Sequence, residues 1–142
     1  MNKSNQIFKE IDLARNNATD MGEIAWRAAH AGEGEYHLLP RPGSAVLRAA
    51  ADAADTAADA LESANSRARA DADAGHGNAD DLRSLAHSAD GARNFARRAA
   101  SEARTAADRL DPNSAPDVEA FYRWREIDDE IQNDVVPDFD LP

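Results

Sequence analysis

Between residues 44 and 110, apolar residues recur at alternating steps of three and four, and most of them are alanine. This spacing places them along one face of an α-helix. Alanine is the strongest helix former, and the β-branched residues that favour strands are scarce in this chain. The pattern therefore predicts helices and argues against a sheet. The two apolar seams are Leu47, Ala50, Ala54, Ala57, Leu61, Ala64 and Ala68 in the first helix, and Leu82, Leu85, Ala89, Ala92, Ala96, Ala99, Ala103, Ala106 and Leu110 in the second.

A short break, "GHGN" at residues 75–78, divides this region into two predicted helices at about 44–74 and 78–110. Glycine ends helices readily and asparagine caps them, so the break predicts a tight turn and an antiparallel, coiled-coil-like hairpin. Alanine side chains bury little apolar area, and burial contributes only about 25 cal/mol per Å². We therefore expect further helices to cover the hairpin.

A third helix is predicted before the hairpin, at about 4–31, and a fourth after it, at about 114–133. In the earlier helix, "NNATDMG" at 16–22 is poor helix material, which predicts a break near Asn17. The fold class that follows is all-α, an antiparallel bundle of three to four helices in a single domain, residues 1–134.

The C-terminal part of the chain carries the densest large apolar side chains. Ser114 and Asp117 form a predicted capping box for the last helix, whose apolar stripe includes Trp124 and Ile127. The tail "VVPDFDLP", residues 135–142, contains two prolines, which predicts that it is extended. Such an acidic tail is either packed on the bundle or presented as a docking peptide.

Several classes of protein are disfavoured by what the chain contains. It has no cysteine, so disulfides and thiolate chemistry are unavailable. No apolar run reaches the roughly 18 residues of a membrane span, and the N-terminus lacks the apolar core of a secretory signal. We therefore expect a cytoplasmic protein that does not bind membranes.

Motifs for catalysis or metal binding are weak. The chain contains no phosphate-binding loop and no nucleophile elbow. His30 and His37 lie near two glutamates in the sequence. However, Gly32 and Gly34 are expected to make that loop flexible, and the spacing of the histidines and glutamates matches no helical zinc motif. We predict no catalytic residue, no metal and no cofactor, and an enzyme with a carboxylate or histidine site is the least supported class.

The formal net charge is −11, and the acid excess is uneven. Residues 117–142 carry nine acids against two arginines, and residues 43–77 carry six against three. A field of this sign repels nucleic acid and attracts basic proteins. We therefore predict a basic protein partner and no direct nucleic-acid binding.

The first acidic group, called here the acidic column, consists of Asp52, Asp55, Asp59 and Glu62 in the first hairpin helix. Steps of three and four place these acids on one outward strip, rising by about 4.5–6 Å each. That rise is similar in scale to the spacing of phosphates on a nucleic-acid strand. Within the helix no lysine or arginine lies between Arg48 and Arg67. The column is either a solvated face or a phosphate mimic. The arginines of the second hairpin helix are expected to pair with acids of the chain itself.

The second acidic group lies near the end of the last predicted helix. It consists of Asp128, Asp129, Glu130 and Asp134, where the helix dipole disfavours negative charge. The cluster either promotes solubility or serves a partner.

These observations favour a non-enzymatic acidic module that binds a basic, nucleic-acid-binding protein through both acidic groups. A phage or mobile-element inhibitor, of the anti-CRISPR or anti-restriction type, has this physical character. The alternative is a structural or assembly protein that forms homo-oligomers through its alanine-rich faces. The predicted partner-binding residues are Asp52, Asp55, Asp59, Glu62, Asp128, Asp129, Glu130 and Asp134.

Overall fold

The structure, a computed structural model, describes the backbone of residues 3–75 and 79–139 and the side chains of residues 6–75 and 79–133. Four α-helices pack against one another, and the described residues contain no strand, so the predicted all-α bundle is confirmed. The elements are α1 (Lys3–His30), a single 3₁₀ turn (Gly34–Tyr36), α2 (Ser44–Asp73), α3 (Ala79–Leu110) and α4 (Val118–Phe139).

The α2–α3 hairpin is the framework of the bundle. The chain leaves α2 at Gly75, whose φ of +77° lies in the left-handed region that glycine permits. The rest of the predicted turn, residues 76–78, lies outside the described residues. Pairs such as Arg48 with Asp108 and Arg69 with Asp90 show that the two helices are antiparallel.

Helix α2 lies at the centre of the bundle because it packs against each of the other three helices. All seven residues of its predicted seam are buried, and Ala51 and Ala58 on one flank of the seam are buried as well. In α3 the buried face is rotated from the prediction: Ala86, Ala100 and Ala107 are buried, while Leu110 is exposed. The rotation follows from contact with both α1 and α2, since the buried face must be centred between its two neighbours.

A buried polar link joins α2 and α3. Asn65 is almost completely buried, and its Nδ2 donates to the Ala86 carbonyl oxygen at 3.2 Å and to Asp90 at 3.0 Å. Arg69 donates to the other oxygen of Asp90 at 2.8 Å. Burial raises the pKa of Asp90, but the hydrogen bond and charge of Arg69 outweigh it, so the pKa lies below its ordinary value.

The expected break near Asn17 is absent, and α1 runs without interruption through residues 16–22. Gly22, the last residue of that segment, lies instead where α1 packs closely against α3. A Cβ atom added there would be 2.9 Å from the Phe95 ring and 3.1 Å from the Cα of Ala96. The glycine that weakens the helix in the sequence therefore permits close packing in the fold.

Helix α4 begins later than the predicted 114–133 span, because Asp117 rather than Ser114 caps it. The Asp117 carboxylate accepts from the Ala120 backbone N–H at 3.1 Å. Ser114 instead accepts from Arg48 Nε at 2.9 Å, so its hydroxyl is already engaged.

The prediction of an extended tail is wrong for residues 135–139, because α4 continues to Phe139. The segment contains one proline, Pro137, whose fixed φ is compatible with a helix but which lacks the N–H that would donate to the Asn133 carbonyl. Residues 140–142 lie outside the described residues.

The buried face of α4 consists of Phe121, Trp124 and Asp128. Trp124 Nε1 donates to the Pro40 carbonyl oxygen at 2.8 Å, which fastens α4 to the loop between α1 and α2. Ile127, predicted to belong to the apolar stripe, is 43% exposed. The face therefore buries one carboxylate where the sequence pattern placed an aliphatic side chain.

Candidate partner-binding site

The acidic column is paired with arginines of α3. Arg104 contacts Asp52 at 3.0 Å and also contacts Asp55. Partial burial lowers the pKa of Arg104, but its hydrogen bonds and charge interactions with these two carboxylates outweigh that effect, so the pKa is raised.

The other half of the column shows the same arrangement one heptad along. Arg97 reaches Asp59 at 3.1 Å and Glu62 at 2.7 Å, and Arg93 lies 3.8 Å from Glu62. The prediction that the α3 arginines pair with acids of the chain is confirmed for Arg97 and Arg104.

The pairing corrects the sequence interpretation of the column as a strip without basic neighbours. Four carboxylates lie against three arginines, Arg93, Arg97 and Arg104, which leaves one net negative charge. The carboxylates remain partly exposed, but their local field is largely neutralised. The column therefore acts mainly as a link between α2 and α3.

Asp128 is not available as a surface residue, which corrects its predicted role in partner binding. Its side chain is 0% exposed and receives two hydrogen bonds from Arg27, Nε to Oδ1 at 3.0 Å and Nη2 to Oδ2 at 2.9 Å. Burial lowers the pKa of Arg27, but the hydrogen bonds and charge of Asp128 outweigh it and raise the pKa overall. The pair fixes α4 on α1.

The burial of Asp128 could be predicted in part from the sequence. Phe121, Trp124 and Asp128 are spaced by three and four, so they share one helix face. That its partner is Arg27 depends on how α4 packs against α1, and the sequence around Asp128 does not indicate this.

The exposed acids of α4 form a different surface, which we call the acidic face of α4. It consists of Glu119, Glu126, Asp129 and Glu130, all exposed. Among the residues whose side chains are described, none of these four carboxylates has a cationic group within 4.0 Å. Sequence reasoning selected Asp129 and Glu130 but missed Glu119 and Glu126. The side chain of Asp134 lies outside the described residues.

Helical geometry concentrates the charge of this face. Glu119, Glu126 and Glu130 are separated by seven and eleven residues, so they lie within about 40° of one another around the axis and extend over about 16 Å. Arg123 is exposed on the same side of α4 and reduces the net charge there. Arg125 lies beside Asp129 and reduces it further, so the face carries an excess of two negative charges, four acids against two arginines.

The loop with His30 and His37 does not assemble a ligand set. His30 packs against Trp26 with ring centroids 4.5 Å apart and lies 3.8 Å from Glu102, whereas His37 contacts the Gly34 carbonyl oxygen. Among the described residues, no group of three or more His, Asp or Glu side chains is placed to hold a metal ion.

Comparison with known proteins gives no relative: no family model, no curated protein and no solved structure matches the chain. Within the part of the chain that the structure describes, none of the helices combines the length and apolar character needed to cross a membrane.

Proposed function

We propose that this protein is a non-enzymatic binding module that engages a basic protein through the acidic face of α4. The observation that carries the proposal is the contrast between the two acidic groups. The column on α2 is matched by three arginines of α3, whereas the acidic face of α4 lies in the segment that contributes nine acids against two arginines. An uncompensated charge of this kind attracts and orients a partner of opposite sign.

The partner class that fits this face is a nucleic-acid-binding protein, because such proteins present clustered lysines and arginines to phosphates. A rigid helix carrying carboxylates over about 16 Å would occupy that basic surface and compete with the nucleic acid. The biological role we propose is therefore an antagonist, of which phage or mobile-element anti-CRISPR and anti-restriction inhibitors are the physical type.

The alternative of homo-oligomerisation through alanine-rich faces gains no support from the packing. On one flank of the α2 seam, Ala51 and Ala58 are buried inside the chain against the other helices, whereas on the opposite flank Ala53 is partly buried and Ala60 is exposed. Because one flank is buried, only the alanines of the other flank could meet a second copy.

Neutralising the acidic face tests the proposal. The variant E119Q/E126Q/D129N/E130Q keeps side-chain size and raises the net charge by four. A matched control, S63K/S66K/S84K/S101K, raises the net charge by four at exposed positions on α2 and α3. The partner is first identified by affinity capture from the native host, and binding of the purified partner is then measured for each variant.

We expect the amide variant to lose partner binding and the lysine control to retain most of it. We also expect the unaltered protein to displace nucleic acid from the partner in a gel-shift assay, with binding that weakens as salt is raised. A partner that binds the amide variant as tightly as the unaltered protein would refute the role of this face.

A further inference from the structure

An apolar groove lies between α2 and α4, next to the acidic face. Its floor is formed by Ala49 and Ala53 of α2 and by Phe121, which is 3% exposed. Its walls on α4 are Val118 and Tyr122, which are 52% and 55% exposed. The groove thus combines a fixed floor with large apolar side chains that the fold leaves in contact with solvent.

The dimensions of the groove suit protein side chains. Its volume is about 240 Å³, below the roughly 300–1,000 Å³ of small-molecule sites. It extends from Ala49 to Thr56 along α2 and from Val118 to Arg125 along α4, about 10 Å in each case. This is the length of two helical turns, which a bound helix would fill with apolar residues at i, i+4 and i+7.

One end of the groove adjoins the acidic face of α4. Asp52 at the rim is paired with Arg104, and the Arg125 guanidinium lies over the Phe121 ring at 5.7 Å. Val118, Tyr122 and Arg125 are followed on the same face of α4 by Asp129, four residues further on. The groove therefore opens at this end onto the acidic face.

We propose that the groove binds the apolar side of a basic amphipathic helix in the partner protein, with its lysines and arginines against the acidic face of α4. The inference rests on the proposed function and names the part of the partner that is recognised. Apolar contacts in the groove supply the anchor, and the carboxylates supply orientation and selectivity for a basic helix.

The test uses two synthetic peptides with the full-length protein. The first carries leucine at i, i+4 and i+7 with lysine at the other exposed positions, and the second replaces each lysine with glutamate. Binding is followed by fluorescence anisotropy of the labelled peptide. We expect saturable binding of the lysine peptide and binding at least about tenfold weaker for the glutamate peptide.

Variants of the groove locate the binding. V118S/Y122S removes two exposed walls without altering a buried side chain, and the matched control L13S/L110S removes two other exposed apolar side chains. We expect the first to weaken binding of the lysine peptide by about tenfold or more and the second to leave it unchanged. Circular dichroism and melting temperature verify that both variants are folded.

The absence of cysteine permits a second readout at the site itself. T56C introduces a unique thiol at the groove for an environment-sensitive dye, and T105C places the same dye on an exposed position of α3. We expect the lysine peptide to shift the emission of the dye at residue 56 and to leave that at residue 105 unchanged.

The outcomes separate the two proposals. If V118S/Y122S binds the peptide as the unaltered protein does while E119Q/E126Q/D129N/E130Q loses binding, the groove inference is overturned and the acidic face stands. The opposite pattern upholds the groove as a binding site and refutes the acidic face. If neither peptide binds saturably, or if light scattering shows a dimer that V118S/Y122S abolishes, the groove does not serve a basic helix of another protein.

Discussion

Replacing Gly22 with alanine tests the close approach of α1 and α3. Alanine favours a helix over glycine by about 1 kcal/mol. The new Cβ would lie 2.9 Å from two carbons of the Phe95 ring and 3.1 Å from the Cα of Ala96, whereas carbon atoms normally pack at about 3.5–4.0 Å. Overpacking of this kind costs about 1–3 kcal/mol. The Phe95 ring can move, but the backbone of Ala96 cannot move without displacing α3, so we expect a net loss of about 1 kcal/mol.

Gly91 provides the matched control, since it also lies within a helix and an added Cβ would meet no atom within 4 Å. G91A should therefore stabilise the protein by about 0.5–1 kcal/mol. The predicted difference between G22A and G91A is about 1.5–2 kcal/mol, measured as the free energy of unfolding in urea by circular dichroism. A G22A variant as stable as G91A would refute the proposed close packing.

Three further predictions concern the ion pairs. D128A should destabilise the fold by an amount toward the lower end of about 3–5 kcal/mol, because it leaves the largely buried Arg27 with only the distant, exposed Glu23 as a partner. R27M/D128L should recover most of the loss, and equal stability of the single and double variants in urea unfolding would contradict this account. R104Q should lower the free energy of unfolding by about 0.5–1 kcal/mol at low salt and by less at high salt, because the two ion pairs of Arg104 are partly exposed. A loss of stability that does not depend on salt would argue for a packing role instead. The lowered pKa of Asp90 means that its ionised form contributes stability which is lost as the pH falls below the ordinary value of 3.8. When the melting temperature is measured as a function of pH, D90N should therefore show a shallower decline in acid than the unaltered protein. Parallel curves for the two proteins would exclude the contribution.

The α2 seam was predictable because alanine at helical spacing has few alternatives to a buried helix face. The α3 face was predictable only to within a rotation, since contact with α1 adds a second direction of burial. Ser114 and Asp117 are both good caps, and the choice between them depends on Arg48, which engages Ser114 from another helix. Contacts between different helices decide these details, and such contacts cannot be read from any short segment of the sequence.

The pairing of the acidic column with the α3 arginines can be predicted from the sequence once α2 and α3 are aligned as a hairpin. Folding the chain about the turn near residues 75–78 places Asp59 opposite Arg97 and Asp52 opposite Arg104, as observed. The column lacks cations along α2 because its cations lie across the hairpin. The acidic face of α4 has no such opposing helix, and its composition alone did not distinguish Glu119 and Glu126 from other exposed acids.

The ion pairs between α2 and α3 also determine which alignment of the hairpin is allowed. Alanine seams repeat almost identically every seven residues, so apolar packing alone would tolerate a slide of α3 along α2 by one heptad. A slide in one direction would place Asp59 opposite Asp90, and a slide in the other would place Asp52 opposite Asp111. Each shifted alignment sets two carboxylates against each other, so the acids that first suggested a phosphate mimic give the hairpin a single register.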